Sequence, residues 1–451
     1  MFQLREANQS LHLLTLTVVF LALFFRLIWF VDRYAVNVIF WDQWDFLTQL
    51  FKGQTTLWQL FSWQHGPPRQ GLGGLIQAVV YPLTDWNVRV EAFIAAGFVA
   101  VSCVLAMLIK RKLFGLLHWS DIAIPLAFFT LLQFEAFIGT SNLAHGPVPL
   151  FLITLSAWVL TLNNQALRAM SLVVLVFLST YTGFALFAAI PVIIILFIFS
   201  WRSKTVKNKW FNIGALILSM ASFGSFFFHY QHAPATDCFQ FPLEHPLEYV
   251  WFSVFQFGSA WGAFIPLNFP FLLQLFKLYA VGLFLILLAS IAFSSFLIIK
   301  NQEVKSLVIF YLGSFTLLFI VFTSVGRLCL GLEAAFSSRY VSYAIPGILA
   351  MYFMILLFGK LVKTRKWLHI TILYGVLFLL IIKEANVFFS NGINWYSEGK
   401  RNWVNCYLEN HCIGGCDKLA NFKIYPDSNA IVNKLDYLER NKLSFFKESS
   451  K

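Results

Sequence analysis

The chain has 451 residues, 33 Lys and Arg against 21 Asp and Glu, and a formal net charge of +12. Only 12% of its residues are charged, against roughly 25% in soluble proteins, while 59% are hydrophobic, with 52 Phe and 15 Trp. That balance excludes a soluble globular protein, a disordered chain and a nucleic-acid binder with a basic face, and the long apolar runs exclude a membrane barrel. An all-α polytopic membrane protein remains.

In chain order, eleven transmembrane helices are predicted, roughly at 11–30, 88–109, 121–138, 148–162, 170–182, 184–199, 210–228, 270–299, 306–326, 340–358 and 367–383. The fourth to sixth are short enough to be tilted, broken or partly re-entrant. The first is too long for a cleaved signal, contains Arg26 and has no small-residue cleavage site after it, so it is expected to anchor the chain.

The basic residues fix an orientation. Arg5, Lys110-Arg111-Lys112, Arg168, the group from Arg202 to Lys209, Lys300 with Lys305, and the group from Lys360 to Lys366 all fall on one side of an eleven-span chain. The opposite loop, 229–269, has no Lys or Arg. The N-terminus is therefore expected inside and the C-terminal region outside. Much of the +12 is this topology signal and needs no nucleic acid. Two parts are expected: a membrane domain, 1–383, whose outer loop 31–87 carries an acidic motif, and a small external C-terminal region, 384–451.

Four of the six cysteines, Cys238, Cys406, Cys412 and Cys416, fall outside in this topology. An oxidising compartment permits disulfides there, and Cys406 is close enough in sequence to pair with Cys412 or Cys416. Cys103 and Cys329 read as packing residues.

Charge inside the spans is not evenly spread. Arg26, Glu91, Glu135, Lys277, Arg327 and Arg339 all lie near outer ends, and Asp121 begins a span at the inner side. A proton-driven transporter is expected to place acids at mid-depth. No internal repeat is visible, which also disfavours a transporter built from inverted repeats.

The first outer loop is the most informative stretch. It reads Phe40-Trp41-Asp42-Gln43-Trp44-Asp45-Phe46. Acids three residues apart share a face if the segment is helical. Bulky aromatics desolvate such a pair and make either acid a candidate general base. Two acids can also hold a divalent cation. The alternative is an interfacial aromatic belt with solvated Asp residues. Gln64-His65-Gly66-Pro67-Pro68-Arg69-Gln70-Gly71 follows as a defined turn. It presents His65 and Arg69 near the same interface. Leu72 to Val80 is then long enough to dip into a membrane but not to cross it. The loop therefore reads as juxtamembrane helix, tight turn, interfacial helix. Asn142 and His145 lie on a short loop beside Glu135. His229 and His232 flank Tyr230 and read as structural, and the aromatic stretch 249–264, with Trp251 and Trp261, reads as interfacial.

An acidic pair just after the first span, with a Pro-Pro turn some 25 residues later, resembles the GT-C superfamily of integral-membrane glycosyltransferases. Protein O-mannosyltransferases and lipid A aminoarabinose transferases belong to it. In the family the loop carries Asp-Glu and then Pro-Pro-Leu. Here Asp42-Gln43 stands in the first place and Pro67-Pro68-Arg69 in the second. Ser338-Arg339-Tyr340 resembles an element of related uncharacterised bacterial membrane proteins. The resemblance covers 31–87 and 326–340.

It implies a GT-C-like fold in a bacterial inner membrane, with juxtamembrane helices in the first outer loop. The implied activity moves a sugar from a polyprenyl-phosphate carrier to an envelope glycan, glycolipid or protein. Asp42 then corresponds to the general base, and Asp45 orients the acceptor or binds a cation. The departure at Gln43 leaves the choice between the two acids open. Arg327 and Arg339 are the expected phosphate ligands. His65, Arg69, Glu135, Asn142, His145 and Tyr340 complete the expected binding surface. No Walker A, Rossmann or HExxH motif is present, so no nucleotide cofactor is expected. The alternative reading is a lipid-linked oligosaccharide flippase or polymerase, or another envelope-polysaccharide transporter.

Overall fold

The computed structural model describes residues 2–203, 205–231, 245–260, 270–301, 303–361 and 391–448. Among these the regular elements are all helical, and one isolated antiparallel bridge pairs Gln64 with Arg69. Helices satisfy their own backbone groups, which a bilayer interior demands.

Six helical stretches are long and apolar enough to cross a membrane: Gln9–Tyr34, Val88–Phe114, Gly183–Arg202, Gln274–Lys300, Val304–Leu330 and Ser338–Gly359. They coincide with the first, second, sixth, eighth, ninth and tenth predicted spans. The elements to the first outer loop's end are α1 (Phe2–Tyr34), α2 (Gln43–Phe46), α3 (Thr48–Phe51), α4 (Leu57–Ser62) and α5 (Gly71–Leu83). Then come α6 (Val88–Phe114), α7 (Ala123–Phe128), α8 (Glu135–Ile138), α9 (Pro147–Leu160) and α10 (Gln165–Tyr181). The membrane region continues with α11 (Ala189–Arg202), α12 (Val206–Ser225), α13 (Pro246–Ser259), α14 (Pro270–Asn301), α15 (Val304–Arg327) and α16 (Val341–Leu361).

The other predicted spans differ from simple crossings. The third, 121–138, is broken into α7, α8 and two 3-10 turns. Thr130 adopts an extended conformation and its hydroxyl accepts from Leu132 N, so the helix cannot run through. Protein surrounds this break, with Phe128, Phe129 and Leu131 fully buried, which is where a membrane protein tolerates non-helical backbone. α9 and α10 have 14 and 17 residues, short of the ~20 needed to span. The seventh is helical as α12, but opens with Val-Lys-Asn-Lys and is not among the six. The eleventh lies outside the described residues.

Small residues let the helices approach closely. Ala92, Ala95, Ala96, Val99, Cys103 and Ala106 form a fully buried stripe on α6, which packs on α9. At one end of this core Lys110 Nζ lies 2.6 Å from Asp121, which also accepts from the Tyr352 hydroxyl.

A second core sits at the opposite end. The C-terminal region forms α17 (Asn391–Asn410), α18 (Ile413–Leu419), α19 (Val432–Arg440) and α20 (Phe445–Glu448). Its Trp403, Phe422, Ile424 and Leu435 bury together with Val38, Phe40, Trp44 and Leu47 of the first loop. Trp41 N donates to Ile424 O and Ser444 N to Asp85 O, both at 2.7 Å. The region does not stand apart: its hydrophobic core is half made by residues 38–88. A disulfide between Cys406 and Cys416 ties α17 to α18, and Cys412 is a free, exposed thiol. Cys329, expected as a packing residue, is disulfide-bonded. Cys238 lies outside the described residues.

Candidate functional site

The site is assembled where the chain leaves α1. Trp41 takes a left-handed conformation, φ 52°, and turns the chain into α2. Asp42 heads that helical turn and Asp45 lies within it. Residues three apart on a helix share a face, and the residue after the first does not. Gln43 accordingly points inward, accepting from Phe40 N at 2.9 Å and donating to Ser141 O at 2.6 Å. It is buried and committed, so it cannot act as the second acid's stand-in.

Both acids face His65. His65 Nε2 is 4.0 Å from Asp42 Oδ1, and Nδ1 is 4.0 Å from Asp45 Oδ2. These separations are electrostatic contacts, longer than hydrogen bonds. The turn bearing His65 is closed by His65 N donating to Pro68 O and Gln70 N donating to Trp63 O. Gly66 at its tip has φ 61°, a conformation that glycine adopts without steric cost. Trp63 Nε1 donates to Asp45 O at 3.2 Å and fastens the turn to the acidic helix. α5 follows directly. A Cβ on Gly71 would come 2.3 Å from Tyr181 O, so the turn and α10 meet only because this residue is glycine.

The two acids are held differently. The Tyr425 hydroxyl contacts both Asp45 oxygens, at 3.1 and 3.0 Å. Burial first, then the Asp45 charge, push the Tyr425 phenol up to about 12, so it keeps its proton and donates. Lys434 Nζ, whose pKa burial lowers, donates to Trp44 O and the Thr48 hydroxyl beside it. Asp42 has no such clamp among the described residues; it faces His65, and its charge also reaches Arg339.

The basic side of the site comes from the 328–340 turns. Glu135 Oε2 accepts from the Ser337 hydroxyl and from Arg339 N, both at 3.1 Å, and Oε1 accepts from the Tyr396 hydroxyl at 3.2 Å. Glu135 thus anchors the Ser338–Tyr340 turn rather than facing the acids. Arg339 Nε donates to the Ser337 hydroxyl at 3.0 Å and lies 3.7 Å from Glu135. Its outer nitrogens have no partner among the described residues, and its charge interacts with that of Asp42. Arg327, in the last turn of α15, has no hydrogen-bond or ion-pair partner among the described residues. The charges of His65, Arg339 and Arg327 all reach His145. Burial, followed by those three charges, pushes His145 down to about 3, so its ring is neutral at working pH. Its Nε2 is buried without a hydrogen-bond partner.

Other expected residues have structural contacts. Arg69 is buried and donates to Ser62 O, Phe226 O and Phe228 O, which closes the C-terminal end of α12. Asn142 is buried, with its side chain on Ala144 N and Gln70. Tyr340 packs edge-on against Phe319. Glu91 is saturated by Gln77, Tyr81 and Leu143 N beneath the site. His229 is exposed, and His232 and Trp261 lie outside the described residues.

Sequence reasoning missed Tyr396, Lys400, Tyr425 and Lys434, all from the C-terminal region. Lys400 is buried and donates to Ile138 O and Gly139 O at 2.9 and 2.6 Å, capping α8. Its Nζ lies 4.6 Å from the Phe40 ring centre. Burial lowers it from 10.5 to about 7. Long-range partners of this kind leave no local spacing signal.

Among the described residues no group of three or more His, Cys, Asp or Glu is placed to hold a metal. The two acids meet opposite nitrogens of one imidazole, so the three side chains do not converge on one point.

No protein-family model matches the chain, and no curated protein matches it.

Proposed function

We propose that the chain is a membrane glycosyltransferase that moves a sugar from a polyprenyl-phosphate carrier to an envelope acceptor. The observation that carries this reading is electrostatic. Arg339 offers nitrogens without a partner among the described residues, its charge interacts with that of Asp42, and the charges of His65, Arg339 and Arg327 all reach His145. A base beside a phosphate-binding cation suits transfer of a sugar from a phosphate. Asp42 takes the proton of the acceptor hydroxyl as its oxygen attacks the anomeric carbon. The bond from that carbon to the phosphate oxygen breaks, and the carrier leaves as polyprenyl phosphate. Arg339 and Arg327 stabilise the charge that gathers on the departing phosphate. Asp45, held by Tyr425, orients His65, and neutral His145 is a hydrogen-bonding group for a substrate hydroxyl.

In this reading the site faces the outer side of a bacterial inner membrane, and the N-terminus is cytoplasmic. The positive-inside pattern supports that orientation. The test is consumption of labelled polyprenyl-phosphate sugars by membranes carrying the protein. The native chain should consume at least one carrier sugar, and Asp42→Asn should lower turnover by ~10²–10⁴-fold. Full turnover by Asp42→Asn in folded protein would remove the base from Asp42.

A further inference from the structure

A cavity of about 330 Å³ lies apart from the acidic site, where α1 ends, α6 begins and α17 crosses them. Asp32, Asn37, Arg89, Arg401, Asn405 and Phe445 contribute to its wall, and none of them belongs to the proposed catalytic surface. The volume is within the range of small-ligand sites. Two arginines face one acid, which leaves the wall with an excess of positive charge. Arg89 spends one terminal nitrogen on Asp32, at 2.8 Å from Oδ1. Its Nε is buried without a partner. Arg401 spends one terminal nitrogen on Arg33 O.

The depth of the cavity and the face of α1 leading to it identify the class of ligand. The candidate spans Gln9–Tyr34 and Val88–Phe114 end and begin here, so the cavity lies at headgroup level. Only 22% of the α1 window is buried in protein. Leu14, Val18, Leu21, Phe25 and Trp29 form one exposed apolar stripe at helical spacing. The next position on that stripe is Asp32, in the cavity wall. Acyl chains lying along the stripe would bring their headgroup to Arg89 and Arg401. Guanidinium groups bind phosphate with paired hydrogen bonds, and basic pockets between membrane helices hold anionic headgroups.

We propose that this cavity binds the phosphate headgroup of an anionic membrane lipid whose chains lie on α1. The proposal does not depend on the glycosyltransferase reading. The full-length protein in neutral detergent would be titrated with phosphatidylglycerol, phosphatidylcholine or glycerol 3-phosphate, with binding read by native mass spectrometry. Phosphatidylglycerol should bind in preference to phosphatidylcholine, and glycerol 3-phosphate should compete poorly. Arg401→Gln should weaken phosphatidylglycerol binding about fivefold. Asp32→Asn removes the opposing charge while keeping an acceptor for Arg89, and should tighten it by about the same factor. The opposite directions separate binding from general damage to the fold. Equal binding of phosphatidylcholine, or unchanged affinity in both variants, would overturn the proposal. Equal occupancy by glycerol 3-phosphate would do the same, because the site would then select a soluble phosphate.

Discussion

Asp42 and Asp45 are chemically identical and one helical turn apart, yet their surroundings divide their roles. Tyr425 donates to both oxygens of Asp45, and among the described residues nothing comparable holds Asp42. The less restrained acid is the better placed to accept a substrate proton. Tyr425→Phe deletes the clamp while keeping the ring. Loss of a hydrogen bond to a charged group is worth roughly 1.5–3 kcal/mol, so turnover should fall at least roughly tenfold, with the carrier's KM little changed. Unaltered kcat in that variant would show that Asp45 needs no positioning. The effect should be smaller than that of Asp42→Asn, since the base itself remains. Gln43 illustrates how little residue identity says alone: its place beside Asp42 suggests a changed catalytic acid, but helical geometry sends it inward to Ser141.

At the scale of elements, the C-terminal helices work as a brace on the first outer loop. The Cys406–Cys416 disulfide joins α17 to α18 and leaves Cys412 exposed. Thiol labelling of non-reduced, folded protein should therefore modify Cys412 and spare Cys406 and Cys416. Labelling of all three would refute the bridge. Lys400 makes the same brace sensitive to pH. Unfolded, its ammonium titrates near 10.5; in the fold, burial brings it to about 7. Between those values the unfolded chain holds a proton that the folded chain has released. Lys400 should thus add no pH dependence below about pH 7 and should raise stability above it, by up to ~1.4 kcal/mol per pH unit. Melting curves followed by circular dichroism between pH ~7 and ~9 should show that rise. Lys400→Met should abolish it, and a native protein with the opposite slope would contradict a buried, destabilised ammonium.

For the whole molecule, the two polar ends are distinct. The Lys110–Asp121 pair closes one end, and the acidic loop shares a core with the C-terminal helices at the other. That shared core requires residues 38–88 and 391–448 to lie on the same side of the membrane. In the proposed orientation that side is the exterior. A reporter active only outside the cytoplasm, fused after Lys451, should be active. Activity only of a cytoplasmic reporter would reverse the orientation and place the acidic site inside.

Composition alone determined the class of protein, because an excess of apolar residues permits only structures that satisfy their backbone internally. Local patterns determined the long spans, the turn after Gln64 and the placing of Asp42 and Asp45 on one face, since each depends on neighbours a few residues away. The short and broken segments were legible only as weak apolar runs. Their shape depends on the protein that surrounds them, as at Thr130. Tertiary structure alone decided that Tyr425, Lys434, Lys400 and Tyr396 support the site, and that Arg69 and Asn142 hold the backbone. Those contacts join residues up to 390 positions apart, as between Lys434 and Trp44. No periodicity in a sequence records a meeting between side chains brought together only by packing.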